Sequence, residues 1–348
     1  MRVVLGLGSI LVLACCGCNS SPTSPAHDPP IERFFGQSLP GSWRPFSDDS
    51  PWNTPIAPDA ATHPESPAVI DLATTLSDHL RLVQSYAIPV WVGDSDSIPL
   101  VRVRSDYIFD WWDRNPRDGW SDVGVPLVHG LWSGPTDDGH LCIIDPRKKL
   151  AWEMSHFVWP SDGTPTCTTF NIWDLQGPGV GSPDDGPHWQ LRGGRGSGFP
   201  LIAGLLRPEE LAAGEIRHAL VFTFSQNRRA PDGAVFLPPA CRSDGWYMGS
   251  PYPIEGMRWQ LDPTLGEADF AAWGLNREGL IVARALQRYG MLDGDNGGNM
   301  ALQVQLLGTT VTESLSKWEA LFPGFYANVE KIPVDRFRVI DTGESVIR

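Results

Sequence analysis

The chain is poor in basic residues and in long apolar runs, and each shortage excludes a class of protein. Its 27 Lys and Arg stand against 41 Asp and Glu, which gives a formal net charge of −14. We therefore expect no nucleic-acid partner, since such a protein needs a basic surface that displaces counterions. Beyond Cys18 no stretch approaches the roughly 18 consecutive apolar residues of a membrane-spanning helix, so we expect none.

Cysteine is also scarce. Only Cys142, Cys167 and Cys241 lie beyond the group at Cys15 to Cys18. Their spacing forms no CxxC or Cys/His pattern, which argues against a zinc site. An oxidising compartment would permit one disulfide. We predict that it joins Cys142 to Cys167, because these two residues flank what reads as a pair of adjacent strands.

The N-terminal residues have the pattern of an export signal. Arg2 precedes a run of mostly apolar or small residues at 3–14, which is a typical length for the hydrophobic region of a signal peptide. The sequence Val-Leu-Ala-Cys that ends at Cys15 resembles the lipobox of bacterial lipoproteins. The resemblance implies a signal over residues 1–18, lipidation of Cys15 and a lipid anchor in the bacterial cell envelope or at the cell surface. Cys16 and Cys18 remain alternative lipidation sites, and an ordinary secretory signal remains an alternative reading.

The rest of the chain divides into a tether and a body. Residues 19–45 begin with a Ser/Pro-rich stretch that has little to bury and is typical of a linker. The whole chain is 41% hydrophobic, which is enough for a packed core in residues 46–348. We expect this segment to form a single β-rich domain.

Short apolar runs separated by Gly and Pro predict mostly β structure. The clearest hairpin covers residues 140–157, and its second arm alternates, with Trp152 and Met154 on one side and Ala151 and Glu153 on the other. Helical periodicity appears over residues 66–86 and 276–289. We predict an all-β sandwich or jelly roll with two or three peripheral helices. The alternative is an α+β fold whose helices cover one face of an antiparallel sheet.

Three stretches together resemble an uncharacterised family of secreted bacterial proteins. They read RGSGFPLIAGL from Arg195, IRHALVF from Ile216 and RALQRYGM from Arg284. The resemblance implies no activity, but it places six polar residues in shared motifs: Asp145, Glu153, Arg195, His218, Asp244 and Asn296.

Tryptophan is abundant, with 15 residues in 348. Aromatic faces stack on the apolar faces of sugar rings, so an exported, acidic, Trp-rich β protein is suited to a neutral polysaccharide. We predict that Trp111, Trp189 and Trp246, which lie in loops or strand ends, stack on such a partner. The alternative for each tryptophan is an ordinary packing role.

Hydrolysis of a glycosidic bond needs a protonated and an ionised carboxyl on either side of the scissile bond. Glu153 is the first candidate, because a carboxyl beside Trp152 in a partly dry groove would have a raised pKa. Asp174 and Asp244 are its candidate partners. These residues favour a membrane-anchored glycoside hydrolase.

A polysaccharide lyase is the close alternative. β-Elimination from a uronate needs a cation on the carboxylate and a group that moves a proton. Arg195 and His218 could fill those roles, together with Arg192 and Tyr289. A surface lipoprotein that binds glycans without cleaving them is the third reading.

We expect no cofactor. The acidic stretches at residues 94–96 and 293–299 resemble no complete EF-hand, because the latter has Gly at the fifth position and Val304 at the twelfth. A structural calcium ion at either stretch is the alternative.

Overall fold

The computed structural model describes residues 31–109, 116–121, 123–161, 163–182 and 192–347. Cys15, Trp111 and Trp189 lie outside these ranges, so the predictions that concern them stay predictions.

The described residues form many short strands. They are β1 Arg81–Leu82, β2 Ile88–Val92, β3 Leu100–Val101, β4 Arg104–Phe109, β5 Pro116–Trp120, β6 Val125–Pro126, β7 Leu141–Asp145, β8 Leu150–Ser155, β9 Thr166–Asp174, β10 Leu220–Phe224, β11 Arg228–Ala230, β12 Gly233–Phe236, β13 Tyr247–Met248, β14 Arg258–Leu261, β15 Met291–Asn296, β16 Ala301–Leu302, β17 Gln305–Leu306, β18 Phe337–Ile340 and β19 Val346–Ile347.

The described helices are α1 Glu32–Phe35, α2 Ser66–Leu76, α3 Pro208–Ala213, α4 Glu267–Trp273, α5 Arg277–Arg288, α6 Val311–Leu321 and α7 Phe325–Val329, followed by a 3₁₀ turn at Val334–Arg336.

Two large mixed sheets carry the fold. The six-stranded sheet has the order β1-β16-β10-β15-β14-β18, and the seven-stranded sheet has the order β17-β2-β7-β8-β9-β4-β5. Two smaller sheets, β13-β11-β12-β19 and β3-β6, lie beside them. The protein is therefore sheet-rich, with helices added to the sheets. Six of the strand pairs are parallel, so the pairing does not confirm a jelly roll, which is built from antiparallel strands.

The apolar side chains form three layers around these sheets. Helix α5 covers one face of the six-stranded sheet, where Phe222 and Trp259 are buried. The other face, with Val221, packs towards the face of the seven-stranded sheet that carries Ile144. The loop at residues 199–205 lies in this middle layer. The far face of the seven-stranded sheet, with Trp152 and others, borders the third cluster.

The predicted hairpin is confirmed as β7 and β8, which pair antiparallel. Its side-chain alternation is confirmed as well, since Trp152 and Met154 belong to the third cluster while Ala151 belongs to the middle one. The predicted helix at residues 276–289 is confirmed as α5. Asn276 caps it by accepting the Gly279 N–H at 3.0 Å.

The prediction of one helix over residues 66–86 is wrong in its second half. Helix α2 ends at Leu76, Ser77 is extended, and Arg81–Leu82 forms strand β1 beside β16. Leu80 and Leu82 are buried all the same. The apolar residues of this stretch fit the spacing of a helix and the alternation of a strand equally well. Pairing with β16 makes the second half of the stretch a strand.

The predicted disulfide between Cys142 and Cys167 is wrong, because all three cysteines of the body are thiols. Cys142 lies on β7 and Cys167 on β9, and β8 runs between them. Two strand spacings amount to about 10 Å, whereas a disulfide needs Cα atoms within about 7 Å.

A search of the described residues finds no helix with the length and apolar content needed to cross a bilayer.

Candidate functional site

A pocket of about 580 Å³ opens at the edge of the six-stranded sheet. Strands β1, β10, β15 and β16 contribute to its wall, together with the segment that follows β1 as far as Tyr86. Asp138 and His140, which precede β7, close it from the seven-stranded sheet. The pocket therefore lies where the two large sheets meet. Of the carboxyls that line it, those of Asp138 and Asp295 have raised pKa values.

The pKa of Asp138 is raised, first by burial and then by the charges of Asp137 and Asp244, while His156 acts in the opposite direction. The pKa of Asp295 is raised to about 7. Burial is the largest cause, and the charges of Asp244 and Asp138 add to it. Both carboxyls therefore hold a proton at a higher pH than an exposed aspartate does.

His140 also lines the pocket, and its imidazole is neutral. Burial, assisted by the charge of Arg195, lowers its pKa to about 4. The imidazole is therefore uncharged at neutral pH and adds no positive charge to the acidic wall.

An acidic cluster adjoins the pocket. Carboxylate oxygens of Asp244, Glu255 and Asp295 all lie within 4.8 Å of one another. Asn296, beside Asp295 on β15, donates to Asp244 Oδ1 at 2.6 Å. Burial raises the pKa of Glu255 well above its ordinary value, and the neighbouring charge of Asp244 raises it further. Asp295 belongs both to this cluster and to the pocket.

The glycine-rich loop explains how these acids come together. Gly196 N–H donates to Asp295 Oδ1 at 3.2 Å. A Cβ at Gly196 would lie 2.5 Å from Asp244 Oδ1, so a larger residue there would push the Asp244 carboxyl away from its present position. Arg195 holds the loop in shape, because its two terminal nitrogens each donate at 2.8 Å, to the carbonyls of Ala203 and Leu201.

Arg195 is the buried cation behind the site. It is 1% exposed, and burial lowers its pKa to about 10. Its charge lies close enough to Asp295 and Glu153 to lower the pKa of each. Since both terminal nitrogens bind backbone carbonyls inside the protein, the guanidinium positions the loop and does not face the pocket.

Glu153 lies in the core and not in a groove. Its carboxylate accepts the N–H groups of Leu201 at 2.7 Å and Ile202 at 2.9 Å, and the indole N–H of Trp173 at 2.9 Å. The residue is fully buried, and burial raises its pKa to about 7. The side chain therefore ties the glycine-rich loop to β8, and it has no route to a polymer.

Two further candidates lie apart from the acidic cluster. His218 is buried with Nε2 2.8 Å from Glu210 Oε1 and Nδ1 2.9 Å from the Ala219 carbonyl oxygen, so both ring nitrogens are engaged. Asp174 ends β9 and accepts the Gln176 N–H at 2.9 Å, which is a turn contact. Within the described ranges no hydrogen bond or ion pair joins either residue to the cluster. Of the predicted carboxyls, the structure brings Asp244 alone to the pocket's edge.

An exposed aromatic surface adjoins the acidic cluster. Trp246 is 73% exposed, two residues beyond Asp244, and its backbone N–H donates to the Asn227 carbonyl at 2.9 Å. Tyr247 packs against Tyr252 with ring centroids 4.7 Å apart. Trp246 thus has the exposure that sugar stacking requires. In contrast, Trp52, Trp173, Trp259 and Trp318 are core residues.

In the acidic stretch at residues 94–96, both aspartates form ion pairs with basic side chains. Asp94 and Asp96 both pair with Arg147, and Lys148 Nζ lies 2.5 Å from Asp96. Side-chain cations therefore occupy this stretch. The stretch from Asp293 is different, because it continues β15 and supplies Asp295 to the acidic cluster.

Sequence reasoning missed Asp138 and Glu255 and passed over Asp295 as a catalytic group. Asp138 lies in an Asp-Asp-Gly turn and Glu255 in a loop, which are ordinary surroundings for an acid. The Asp-Gly-Asp-Asn sequence at residues 293–296 was the one available signal, and it pointed to oxygen ligands.

Comparison of the chain with protein-family models, with curated proteins and with solved structures gives no match.

Proposed function

We propose that the protein is a carbohydrate-active enzyme that hydrolyses a neutral polysaccharide in the pocket at the edge of the six-stranded sheet. One observation carries the proposal, namely that the carboxyls of Asp138 and Asp295 line the same pocket. The two groups are near enough that the charge of Asp138 raises the pKa of Asp295. Glycoside hydrolysis uses such a pair, with one carboxyl as proton donor and the other ionised.

Both carboxyls face the pocket and both have raised pKa values, so their contacts decide the roles. Asp138 is the proton donor in this proposal, because Asp295 accepts the Gly196 N–H and lies near the charge of Arg195, and both interactions favour an ionised Asp295. Asp295 is the second carboxylate by its position across the same pocket. The proposal replaces the predicted pair, since Glu153 is engaged in the core. Asp244, one of the predicted carboxyls, lies next to the proposed pair, because its carboxylate is within 4.8 Å of that of Asp295.

The aromatic surface supports a glycan as the substrate. Trp246 offers a free indole face close to the acidic cluster, and indole faces bind the apolar faces of pyranose rings. A neutral polymer is the favoured substrate, because the pocket is lined by more acidic than basic residues. The acidic residues are Asp138, Asp295 and Glu330, and the basic residue is Arg81. A uronate polymer would meet net repulsion there.

The lyase alternative has less support. Arg195 and His218 were its candidate groups, and both are buried. The two terminal nitrogens of Arg195 and both ring nitrogens of His218 are engaged inside the protein. Neither residue is among those that line the pocket.

The proposed location is the bacterial cell envelope, with Cys15 as the lipidated residue. This proposal is supported by the signal-like residues 3–14 and by the lipobox-like sequence before Cys15. A neutral polysaccharide is the proposed partner, and the lipid anchor is the proposed contact with the membrane.

A substrate screen with two readouts tests the function. The purified protein is incubated with neutral and uronic-acid polysaccharides, while reducing ends and the absorbance of unsaturated sugars are followed in parallel. We expect reducing ends from a neutral polymer without unsaturated product. Unsaturated product would support the lyase instead, and binding without cleavage would support a glycan-binding lipoprotein. A protein that neither binds nor cleaves any polymer would contradict the proposal.

A further inference from the structure

The acidic cluster has a composition that the proposed hydrolysis does not explain. Asp244, Glu255 and Asp295 bring three carboxylates within 4.8 Å, and the buried Asp293 carboxyl lies beside them, since the Asn227 side-chain nitrogen contacts both Glu255 and Asp293. Among the described residues no lysine or arginine forms an ion pair with any of the four. When they are ionised together, carboxylates this close repel one another strongly, and a bound cation would remove that repulsion.

Two buried oxygen atoms at the cluster lack partners, which is an independent observation. Asp293 Oδ2 and Asn227 Oδ1 accept no hydrogen bond from the described residues, and both residues are fully buried. Asn227 belongs to the cluster, because its Nδ2 lies 3.4 Å from Glu255 Oε1 and 3.3 Å from Asp293 Oδ1. A buried acceptor without a donor costs free energy, so these oxygens also indicate a missing positive partner.

We infer that Asp244, Glu255 and Asp295 form a binding site for a divalent cation, with calcium as the ion that fits. All the ligand atoms on offer are oxygens, which hard cations prefer. Calcium binds oxygen at about 2.3–2.6 Å, so two ligands on opposite sides of the ion lie about 4.6–5.2 Å apart. Magnesium binds at about 2.1 Å and requires opposite ligands about 4.2 Å apart. Carboxylate oxygens within 4.8 Å of one another leave room for calcium, and its flexible coordination suits three carboxylates drawn from separate segments better than the strict octahedron of magnesium does.

The site is built from separate parts of the chain, so the ion would cross-link them. Asp244 and Glu255 lie in the loops before and after β13, whereas Asp295 lies on β15 of the six-stranded sheet. Because Asp295 also lines the pocket, the ion would border the proposed catalytic site. The inference stands on the acidic cluster and does not require that the pocket cleaves a glycan.

Calcium titration of the full protein, after chelation, tests the inference by calorimetry and by thermal unfolding. We expect one calcium ion to bind per chain and to raise the unfolding temperature, because a ligand that binds the folded state stabilises it. Terbium luminescence gives a second readout, since the ion would lie near Trp246, whose indole can sensitise it. A wild-type protein that gives neither binding heat nor a shift in unfolding temperature would overturn the inference, as would a clear preference for magnesium.

Glu255→Gln is the decisive variant, because it removes one ligand charge at a residue that does not line the pocket. We expect it to weaken calcium binding by about tenfold or more, and Asp244→Asn, at an exposed position, to do the same. Asp96→Asn is the matched control, since Asp96 belongs to the other acidic stretch and pairs with Arg147 and Lys148. Unchanged affinity in both cluster variants, or an equal loss in the control, would contradict the site.

Discussion

At the scale of single residues, Glu153 shows how a carboxyl can be indispensable without being catalytic. Its two oxygens accept three N–H groups, two of them from the loop that follows the glycine-rich stretch. That loop continues from Gly196, which contacts Asp295 and Asp244 at the acidic cluster. Glu153 is therefore a positioning residue, and it acts through the loop.

At about pH 5, Glu153→Gln should destabilise the protein by about 1–3 kcal/mol, because both oxygens of the carboxyl can accept an N–H, whereas the amide nitrogen cannot and would oppose a donor. Denaturant unfolding measures the effect. Asp174→Asn, at the partly exposed end of β9, is the control and should change stability by no more than about 0.5 kcal/mol. Equal stability of Glu153→Gln and wild type would refute the positioning role.

The stability advantage of wild type over Glu153→Gln should shrink as the pH rises. The pKa of Glu153 is raised from an ordinary value of 4.5 to about 7 in the folded state. The folded protein thus keeps a proton that the unfolded chain releases, so the contribution is full below 4.5 and is lost as the pH rises through 7. Unfolding at about pH 5 and about pH 8 measures the difference, and an advantage that grows with pH would contradict this pKa.

The sequence predicted which side of β8 Glu153 faces but not what covers that side. Alternation along a strand is local, so it could be read from Trp152 and Met154. The covering loop comes about 50 residues later, and its shape depends on Arg195 binding carbonyls within the loop. No pattern around Glu153 carries that information.

At the scale of elements, the three-stranded unit of β7, β8 and β9 determines the state of the cysteines. Cys142 pairs in register with Glu153, and Glu153 pairs with Asn171, which is four residues beyond Cys167. The two thiols are thus separated both across the sheet and along it.

Peptide mapping without reduction should find Cys142, Cys167 and Cys241 all as thiols. They should react with an alkylating reagent after unfolding and resist it in the folded protein, because all three are buried. A reducing agent should leave the unfolding temperature unchanged. A cross-linked peptide containing Cys142 and Cys167 would show that this strand order is incorrect.

Local sequence signals predicted the helix whose two ends are marked by a capping residue and by a glycine. Helix α5 has Asn276 as its cap, and Gly290 follows it with a φ of 71°, so both of its limits could be read. Helix α6 was missed, although Thr310 caps it by accepting the Glu313 N–H at 3.2 Å. The parallel pairing of β10 with β15 could not be foreseen, because these strands are far apart in the sequence.

At the scale of the whole molecule, the site is an assembly of distant segments. Asp138 precedes the seven-stranded sheet, Asp295 lies on the six-stranded sheet, and Asp244 and Glu255 come from the loops around β13. The sequence predicted acidic groups and an exposed Trp246, since residue types can be counted. It could not predict their convergence, which depends on the packing of the two sheets.

The most direct test of the account compares Asp138→Asn with Asp137→Asn on the polysaccharide that the wild type cleaves. The variants carry the same Asp-to-Asn replacement at adjacent positions, but Asp137 is exposed and does not line the pocket. We predict that Asp138→Asn lowers kcat by about 100-fold or more, as expected when a general acid is lost, while Asp137→Asn keeps most of it.

The wild-type rate should fall as the pH rises through the raised pKa of Asp138, because the proton donor is then lost. Burial is the main cause of this raised pKa, and Asp137, Asp244 and His156 are the neighbours whose charges modify it. Reducing-end release measured across pH for the three proteins decides the matter. Full activity in Asp138→Asn, or an equal loss in Asp137→Asn, would contradict the assignment of the pocket as the catalytic site.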